Sequence, residues 1–287
     1  MVYTNFIVRL NRVYSLAVLS LNGFTSLGVS LIRFTAQRYV FPWKRLKQNQ
    51  FCTNPKESGC LAKLSLPLRD YLWLTMIKNI VFDLGGVIFK IDKHQAIRRF
   101  NEVGFADAAS YLDAFAQVGI FGDLESGKIS AEQFRCQLSE MAGKNLTLED
   151  CAYGWQGYQV DLPQRNLDKL IELRQRGFRL SLLSNTNPFM MQWARSSVFD
   201  GRGHGLDHYF DALYLSYEMG IMKPERRIFE MMLQGEKAKP EETVFIDDSA
   251  HNTATAATLG MHVLQPDNGA DWHGMLEDLI TQCNGGE

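Results

Sequence analysis

Asp83 lies at the junction of an apolar run, residues 79–82, and the sequence Leu84-Gly85-Gly86. A short apolar run with β-branched residues is typical of a buried strand in a parallel sheet. The carboxyl ends of such strands are where open α/β sheets bind ligands, and glycines there allow backbone N–H groups to approach an anion closely. We therefore predict that Asp83 is a nucleophile that attacks phosphorus and forms an aspartyl-phosphate, with the backbone of Leu84 and Gly85 against the phosphate.

A hydroxyl, an amide and a lysine follow the next two predicted strands. Ser184 ends the apolar run that begins at residue 179, and Asn185 comes directly after it. Lys223 follows the third predicted strand and precedes Pro224, which disfavours a helix at the lysine itself. We predict that Ser184 and Asn185 bind the phosphoryl oxygens and that Lys223 neutralises their charge. The simpler alternatives are a helix N-cap for Ser184 and a solvated loop charge for Lys223.

Two adjacent acids, Asp247 and Asp248, end the fourth predicted strand. Carboxylate and carbonyl oxygens are the ligands that Mg²⁺ prefers, and a divalent cation neutralises a phosphate dianion while it orients the attack. We therefore predict a magnesium site formed by Asp83, the carbonyl of Gly85, Asp247 and Asp248. The alternative role of the acid pair, at the start of the following helix, does not exclude metal binding.

These four motifs, each at the end of a predicted strand, resemble the haloacid dehalogenase-like (HAD) superfamily over about residues 76–271. The resemblance implies a magnesium-dependent phosphoric monoester hydrolase that acts on a small phosphorylated metabolite. It also implies that Asp248 binds the metal directly, while Asp247 acts from behind it or through water. The Asp-Leu-Gly form of the first motif is further similar to a branch that includes glucose-1-phosphate phosphatases, so a sugar phosphate is the expected substrate.

Gly85 is a departure from that family's pattern. The phosphatases of the family place a second Asp two residues after the nucleophile, where it protonates the leaving alcohol, and positioned proton transfer of this kind is worth roughly 10²–10⁴-fold in rate. A sugar phosphate with a good leaving group needs less of this help, which keeps the phosphatase as the leading interpretation. The alternative is a catalytically weak phosphate-binding or regulatory protein. Asp92 and His94 are candidate replacements for the missing acid, although residues at the start of a helix are the simpler interpretation of both.

Predicted strands alternate with helical patterns, which indicates an α/β fold with a Rossmann-like, parallel five-stranded sheet flanked by helices. The strands are predicted at about 78–83, 179–184, 212–216, 243–247 and 261–264. The span between the first two is too long for one crossover and shows helical patterns at 93–103, 108–118, 130–142 and 148–158. We expect residues 76–90 and 164–287 to form the core domain. We expect residues 91–163 to form a small helical cap domain that closes over the site.

Residues 1–75 are expected to be an N-terminal extension outside the fold. They hold ten of the 30 Lys and Arg residues and two of the 32 acids, which leaves 20 basic and 30 acidic residues and a formal charge of −10 in the remainder. The uncharged run at 13–32 is too polar for a good membrane span. A targeting segment is the alternative interpretation of this extension.

The composition limits the class of protein and its partners. Of the 287 residues, 46% are hydrophobic and 22% are charged, which is ordinary for a soluble domain with a real core. The acidic remainder of the chain argues against nucleic acid as the main partner, and no membrane partner is expected for the core domain. The five cysteines contain no CxxC pair, which predicts reduced thiols in a cytoplasmic protein. The oligomeric state is left open.

Overall fold

The computed structural model describes residues 76–113 and 117–284, so the predicted N-terminal extension lies outside the described residues. Seven strands occur in this part of the chain: β1 (Asn79–Phe82), β2 (Lys90–Ile91), β3 (Gln159–Asp161), β4 (Arg179–Ser184), β5 (Ala212–Leu215), β6 (Thr243–Ile246) and β7 (His262–Leu264). Five of them form one parallel sheet in the order β5-β4-β1-β6-β7. The predicted α/β fold class is confirmed.

Ten α-helices accompany these strands in the described residues. They are α1 (Lys93–Glu102), α2 (Gly119–Glu125), α3 (Ala131–Ala142), α4 (Leu148–Trp155), α5 (Gln164–Gln175), α6 (Pro188–Ala194), α7 (Ser216–Met219), α8 (Arg226–Glu236), α9 (Ala250–Thr258) and α10 (His273–Cys283). Short 3₁₀ turns occur at Ala108–Ser110, Gln156–Tyr158, Leu206–His208 and Pro240–Glu242. No helix in the described part of the chain combines the length and the apolar content needed to cross a membrane.

β1 is the central strand of the sheet, and its apolar side chains explain that position. Ile80, Val81 and Phe82 are all buried, as expected for a strand covered by helices on both faces. Phe82 pairs with Leu182 on one side and with Ile246 on the other. The residues that follow β1, β4 and β6 therefore emerge side by side at one edge of the sheet.

Four helices and a small antiparallel ribbon lie between β1 and α5. The ribbon pairs β2 with β3, and so the chain leaves and re-enters the region of the sheet through two adjacent strands. α3 begins with the predicted capping box, in which Ser130 and Gln133 exchange side-chain to backbone hydrogen bonds. α2 is fixed by aromatic contacts of Phe121, whose ring centre lies 5.1 Å from that of Phe100 and 5.0 Å from that of Phe134.

The predicted helix at 108–118 is wrong over its described residues. Only a 3₁₀ turn forms at Ala108–Ser110, and α2 begins later, at Gly119, which has a φ of +60°. The carboxylate of Asp107, directly before this turn, accepts a hydrogen bond from Ser110 Oγ at 2.7 Å. Two apolar residues of α2, Phe121 and Leu124, then supply the buried face that the pattern had assigned to the preceding segment.

A shortened chain that starts at Met76 is expected to fold cooperatively and to stay soluble. Both edges of β1 are already paired by described strands, β4 and β6, so the sheet needs no further strand at its centre. Thermal unfolding followed by circular dichroism, for residues 76–287 and for the full chain, tests this. A chain that starts at residue 84 lacks β1 and is the matched control, which we expect not to fold. Loss of the cooperative transition in the 76–287 chain would contradict the prediction.

Candidate active site

The carboxyl ends of β1, β4 and β6 surround a cavity of about 90 Å³. Seven of the eight site residues predicted from the sequence border it: Asp83, Leu84, Gly85, Ser184, Asn185, Lys223 and Asp248. The eighth, Asp247, is fully buried and contacts Lys223. The fold therefore brings all the predicted residues to one place, although they come from four separate parts of the chain.

Lys223 bridges two of the three carboxylates. Its Nζ lies 2.9 Å from Asp83 Oδ1 and 2.7 Å from Asp247 Oδ2, and its side chain is only 1% exposed. Burial opposes the charged form of this lysine, but Asp247 and Asp83 outweigh burial and raise its pKa. Lys223 is therefore a fixed positive charge inside the site and not a solvated loop residue.

Two donors hold one oxygen of Asp83. The N–H of Leu84 donates to Oδ1 at 2.7 Å, and Lys223 Nζ lies 2.9 Å from the same oxygen. Burial raises the pKa of Asp83 to about 6, although Lys223 opposes the rise. The carboxylate is thus ionised at neutral pH and held in one orientation, as a nucleophile requires. The N–H of Leu84, which we expected to face the phosphate, is instead bonded to Asp83.

Asp247 is bonded on both oxygens by its own surroundings. Oδ1 accepts hydrogen bonds from Ser249 N–H at 2.8 Å and from Asn252 Nδ2 at 3.0 Å. Oδ2 accepts from Lys223 Nζ at 2.7 Å and from Asn252 Nδ2 at 3.0 Å. These bonds use most of the acceptor capacity of a carboxylate. They favour Asp248, which borders the cavity, as the acid that faces a ligand.

Asn185 connects the loop after β4 with the loop that carries Lys223. Its Nδ2 donates to the carbonyl of Lys223 at 2.8 Å, and the N–H of Lys223 donates to Asn185 Oδ1 at 2.8 Å. The amide is thus committed to placing the lysine. Ser184 Oγ makes only a long hydrogen bond, 3.4 Å, to the carbonyl of Asn185, and a phosphoryl oxygen is a stronger acceptor for the same hydroxyl.

The carboxylates of Asp83, Asp247 and Asp248 form an acidic cluster, in which one oxygen of each lies within 4.8 Å of the others. Burial raises the pKa of Asp248 to about 7, and the charges of Asp83 and Asp247 add to the rise. Three carboxylates and one lysine leave excess negative charge in a largely buried site, which a divalent cation offsets. Oxygen ligands of this kind suit Mg²⁺. The residues therefore fit the predicted metal.

Gly86 allows the cluster to come this close to the backbone. Its φ is +83°, and an added Cβ would overlap Oδ2 of Asp248. Gly85 is not among the glycines with positive φ, and a Cβ there would meet only Ile91 Cγ2, at 3.0 Å.

Gly86→Ala is expected to destabilise the protein and to raise the magnesium concentration needed for activity. The backbone penalty of a positive φ is about 1–2 kcal/mol, and displacement of the Asp248 carboxylate adds to it. Gly177→Ala is the matched control, because Gly177 has a φ of +91° and open space around the added Cβ. Urea unfolding and magnesium titrations of both variants test this. An equal loss of stability with an unchanged magnesium requirement would show that Gly86 does not position Asp248.

Another part of the cavity lining comes from the segment between β2 and β3. Gln117, Glu125, Trp155 and Tyr158 line it, and sequence reasoning assigned no site role to Gln117 or Glu125. Glu125 is only 6% exposed. A signal for it exists, because Phe121, Leu124 and Glu125 follow the spacing of one helix face. Burial of a carboxylate on an apolar helix face costs free energy, so its presence there calls for a functional explanation.

Asp92 and His94, the two candidate replacements for the missing acid, do not border the cavity. The carboxylate of Asp92 accepts a hydrogen bond from the N–H of His94 at 2.8 Å and caps the start of α1. His94 itself is exposed. The simpler interpretation of both residues, as the start of a helix, is the one that the structure supports.

The sheet order, the cavity at its carboxyl edge and the cluster of carboxylates with one lysine define the class of protein. A family model described as haloacid dehalogenase-like hydrolase matches residues 77–260. The chain belongs to this family of hydrolases, and the resemblance stated from the sequence is confirmed.

Individual relatives narrow the comparison. D-ribitol-5-phosphate phosphatase of Bacteroides thetaiotaomicron is 46% identical over 206 residues, which is 72% of this chain and all of that protein. The solved structure of a HAD-like family hydrolase from Porphyromonas gingivalis is 43% identical, with a TM-score of 0.68 over 71% of this chain and 98% of the other. A HAD family enzyme from Bacteroides thetaiotaomicron, solved with magnesium and inorganic phosphate, is 36% identical, with a TM-score of 0.64 over 69% and 98%.

Proposed function

We propose that this protein is a magnesium-dependent phosphatase that hydrolyses a small sugar or polyol phosphate through an aspartyl-phosphate on Asp83. The observation that carries the proposal is the arrangement of Asp83 and Asp248 on one cavity, with Lys223 bonded to Asp83. Membership of the HAD-like hydrolases and the 46% identity to a D-ribitol-5-phosphate phosphatase support the same reaction.

Each residue at the sheet edge has one part in this reaction. Asp83, oriented by Leu84 N–H and Lys223, attacks phosphorus in line with the leaving oxygen. Lys223 offsets charge on the nucleophile and on the phosphoryl oxygens, and Ser184 Oγ donates to one of those oxygens. Asp83, the Gly85 carbonyl and Asp248 would hold Mg²⁺, with Asp247 behind them. The bound ion supplies neutralisation of the phosphate charge.

The part of the cavity lining that comes from the segment between β2 and β3 suits a leaving group that carries hydroxyls. Trp155 borders the cavity and is 1% exposed, and its Nε1 has no hydrogen-bond partner among the described residues. A buried N–H without a partner costs free energy, so a substrate oxygen that accepts from it gains affinity. We infer that a polyol or sugar hydroxyl occupies this position.

The helices between β2 and β3 act in this proposal as a cap domain over residues 91–163. They contribute Gln117, Glu125, Trp155 and Tyr158 to the cavity, whereas the sheet edge contributes the charged groups. Such a cap excludes water during attack by Asp83 and selects the leaving group. The substrate preference thus depends on the cap and the chemistry on the core.

A panel of phosphate esters tests the proposal. Purified full-length protein is assayed for phosphate release from D-ribitol 5-phosphate, D-ribose 5-phosphate, glucose 1-phosphate and glucose 6-phosphate, with and without Mg²⁺. We expect magnesium-dependent release, with the pentitol ester among the preferred substrates. Gly85 favours one alternative, a catalytically weak phosphate-binding protein. Binding of inorganic phosphate without turnover of any ester would support that alternative and overturn the proposal.

A further inference from the structure

The proposed phosphatase lacks a source for the proton that the leaving alcohol needs. Gly85 stands where a second Asp supplies it in related phosphatases, and a primary alkyl ester such as D-ribitol 5-phosphate has a poor leaving group. A good leaving group departs with little protonation, which accounts for the missing Asp if the substrate is an anomeric phosphate but not if it is a primary alkyl ester. A proton donor must therefore be sought elsewhere around the cavity, and this inference rests on the proposed function.

Glu125 is the carboxyl group that the cap segment contributes to this cavity among the described residues. It ends α2, and its backbone carbonyl accepts a hydrogen bond of 2.6 Å from Ser216 Oγ, a fully buried hydroxyl. The next turn packs as tightly, because a Cβ added to Gly127 would overlap the carbonyl of Tyr217. The backbone at Glu125 is thus fixed against α7 of the core.

Glu125 and Asp83 border the same cavity from different parts of the fold. Asp83, Ser184 and Lys223 follow strands of the central sheet, whereas Glu125 ends a helix of the segment between β2 and β3, which also supplies Trp155 and Tyr158. A nucleophile and a leaving oxygen are placed on opposite sides of phosphorus in an in-line displacement. A carboxyl group across the cavity from Asp83 is next to the departing alcohol, and this is the position that the proposal below gives to Glu125.

We propose that Glu125 is the general acid and base of this enzyme, in place of the Asp that other phosphatases carry at the position of Gly85. In the first step Asp83 forms a bond to phosphorus, the phosphorus–oxygen bond to the alcohol breaks, and the Glu125 proton moves to the alcohol oxygen. In the second step Glu125, now a carboxylate, takes a proton from a water molecule, whose oxygen forms a bond to phosphorus while the bond between phosphorus and the Asp83 carboxylate breaks. Inorganic phosphate leaves, and both side chains return to their starting forms.

The surroundings of Glu125 favour the protonated form that the first step requires. Burial raises its pKa to about 8, the amide of Asn187 opposes the rise, and the charge of Asp83 adds to it. Tyr158, another titratable group near Glu125, is neutral near pH 8, because burial raises the pKa of its hydroxyl above the usual value. Asn187 Nδ2 approaches Glu125 but forms no hydrogen bond within the described residues. Burial is the largest cause, and a cation bound at the acidic cluster does not remove it.

A series of phenyl phosphates tests the role of Glu125 without any dependence on sugar hydroxyls. The substituents on the ring become progressively more electron-withdrawing, so the leaving group needs less and less protonation. The value of kcat/KM is measured for the full-length wild type and for Glu125→Gln at saturating Mg²⁺. We expect a loss of roughly 10²–10⁴-fold for unsubstituted phenyl phosphate and only a small loss for the most activated ester.

Glu132→Gln is the matched control, since Glu132 undergoes the same chemical change on the exposed surface of α3. It should leave the whole series unchanged. If Glu125→Gln lowers kcat/KM by the same factor for every ester, Glu125 has a structural or binding role and the proposal fails. If the wild type itself hydrolyses none of the esters in the series or of the sugar phosphates, the proposed function fails instead, so the two failures are distinguishable.

A second measurement needs no variant. A group that must be protonated loses its effect as the pH rises through its folded-state pKa, so the wild-type kcat/KM for phenyl phosphate should fall above a pH of about 8. The most activated ester should not show that fall. An identical pH profile for both esters would overturn the assignment of Glu125 as the acid.

Discussion

Replacing Asp83 with asparagine is expected to lower phosphate release by on the order of 10⁴–10⁶-fold, the range found when a hydrolase loses one residue of its catalytic triad. The amide still accepts the N–H of Leu84, which holds Oδ1 at 2.7 Å in the wild type. Because burial raises the pKa of Asp83 to about 6, its charge is unfavourable in the folded protein. The neutral variant should therefore unfold at the same temperature as the wild type or above it. Phosphate release from D-ribitol 5-phosphate and thermal unfolding measure the two effects.

Asp200→Asn is the matched control for this loss. Asp200 is also buried, but it accepts hydrogen bonds from Tyr209 and His204 in another part of the fold. Its replacement should lower stability and leave turnover unchanged well below the unfolding temperature. Acid quenching during turnover should trap the phosphorylated wild type but not the Asp83→Asn protein. Turnover by Asp83→Asn at the wild-type rate would remove Asp83 from its proposed role.

Removal of divalent cations is expected to lower turnover by at least about 10²–10³-fold, because charge neutralisation by a metal is worth several kcal/mol. Among the described residues, Lys223 is the cation that pairs with the acidic cluster of Asp83, Asp247 and Asp248, so a phosphate dianion is repelled from the metal-free site. The measurement is phosphate release after chelation, followed by titration with Mg²⁺ back to full activity.

The variant Asp248→Asn distinguishes the loss of bound metal from other effects of chelation on activity. The variant should bind Mg²⁺ more weakly by calorimetry and need more of it for activity, while the acid pair around Lys223 stays intact. Undiminished phosphate release after chelation would refute the proposed role of the metal in this site.

The strands at the centre of the sheet were predictable because β1, β4 and β6 are short, largely buried apolar runs. β1 and β4, for example, were expected at 78–83 and 179–184 and are found at Asn79–Phe82 and Arg179–Ser184. Polar residues directly after such runs must lie at the same sheet edge, so the positions of Asp83, Ser184 and Asp248 followed from pattern alone. This reasoning works because the edge is set by the sheet and not by loop conformation.

The residues that the segment between β2 and β3 contributes to the cavity were much less predictable. β2 and β3 have two and three residues, too few for a periodic signal. Helical periodicity alone placed a helix one segment too early and so missed α2, which carries Glu125. Which side chain of a cap faces the active site depends on how the helices dock, and in α2 that is fixed by distant aromatic contacts of Phe121. The hydrogen bond between Asn185 and Lys223 was equally unpredictable from the sequence, because it joins two loops that are distant in the chain.

The single lysine between the carboxylates has a thermodynamic consequence for the order of binding. When all three carboxylates are ionised, they and Lys223 give the proposed site a formal charge of −2, which one divalent cation brings to zero. A phosphate dianion then enters a neutral site instead of an anionic one. The affinities for cation and for phosphate must therefore be linked, and by reciprocity each ligand strengthens the binding of the other by the same factor. At low magnesium concentration the protein should bind all phosphate esters weakly, so the ambient cation concentration determines how much substrate is bound.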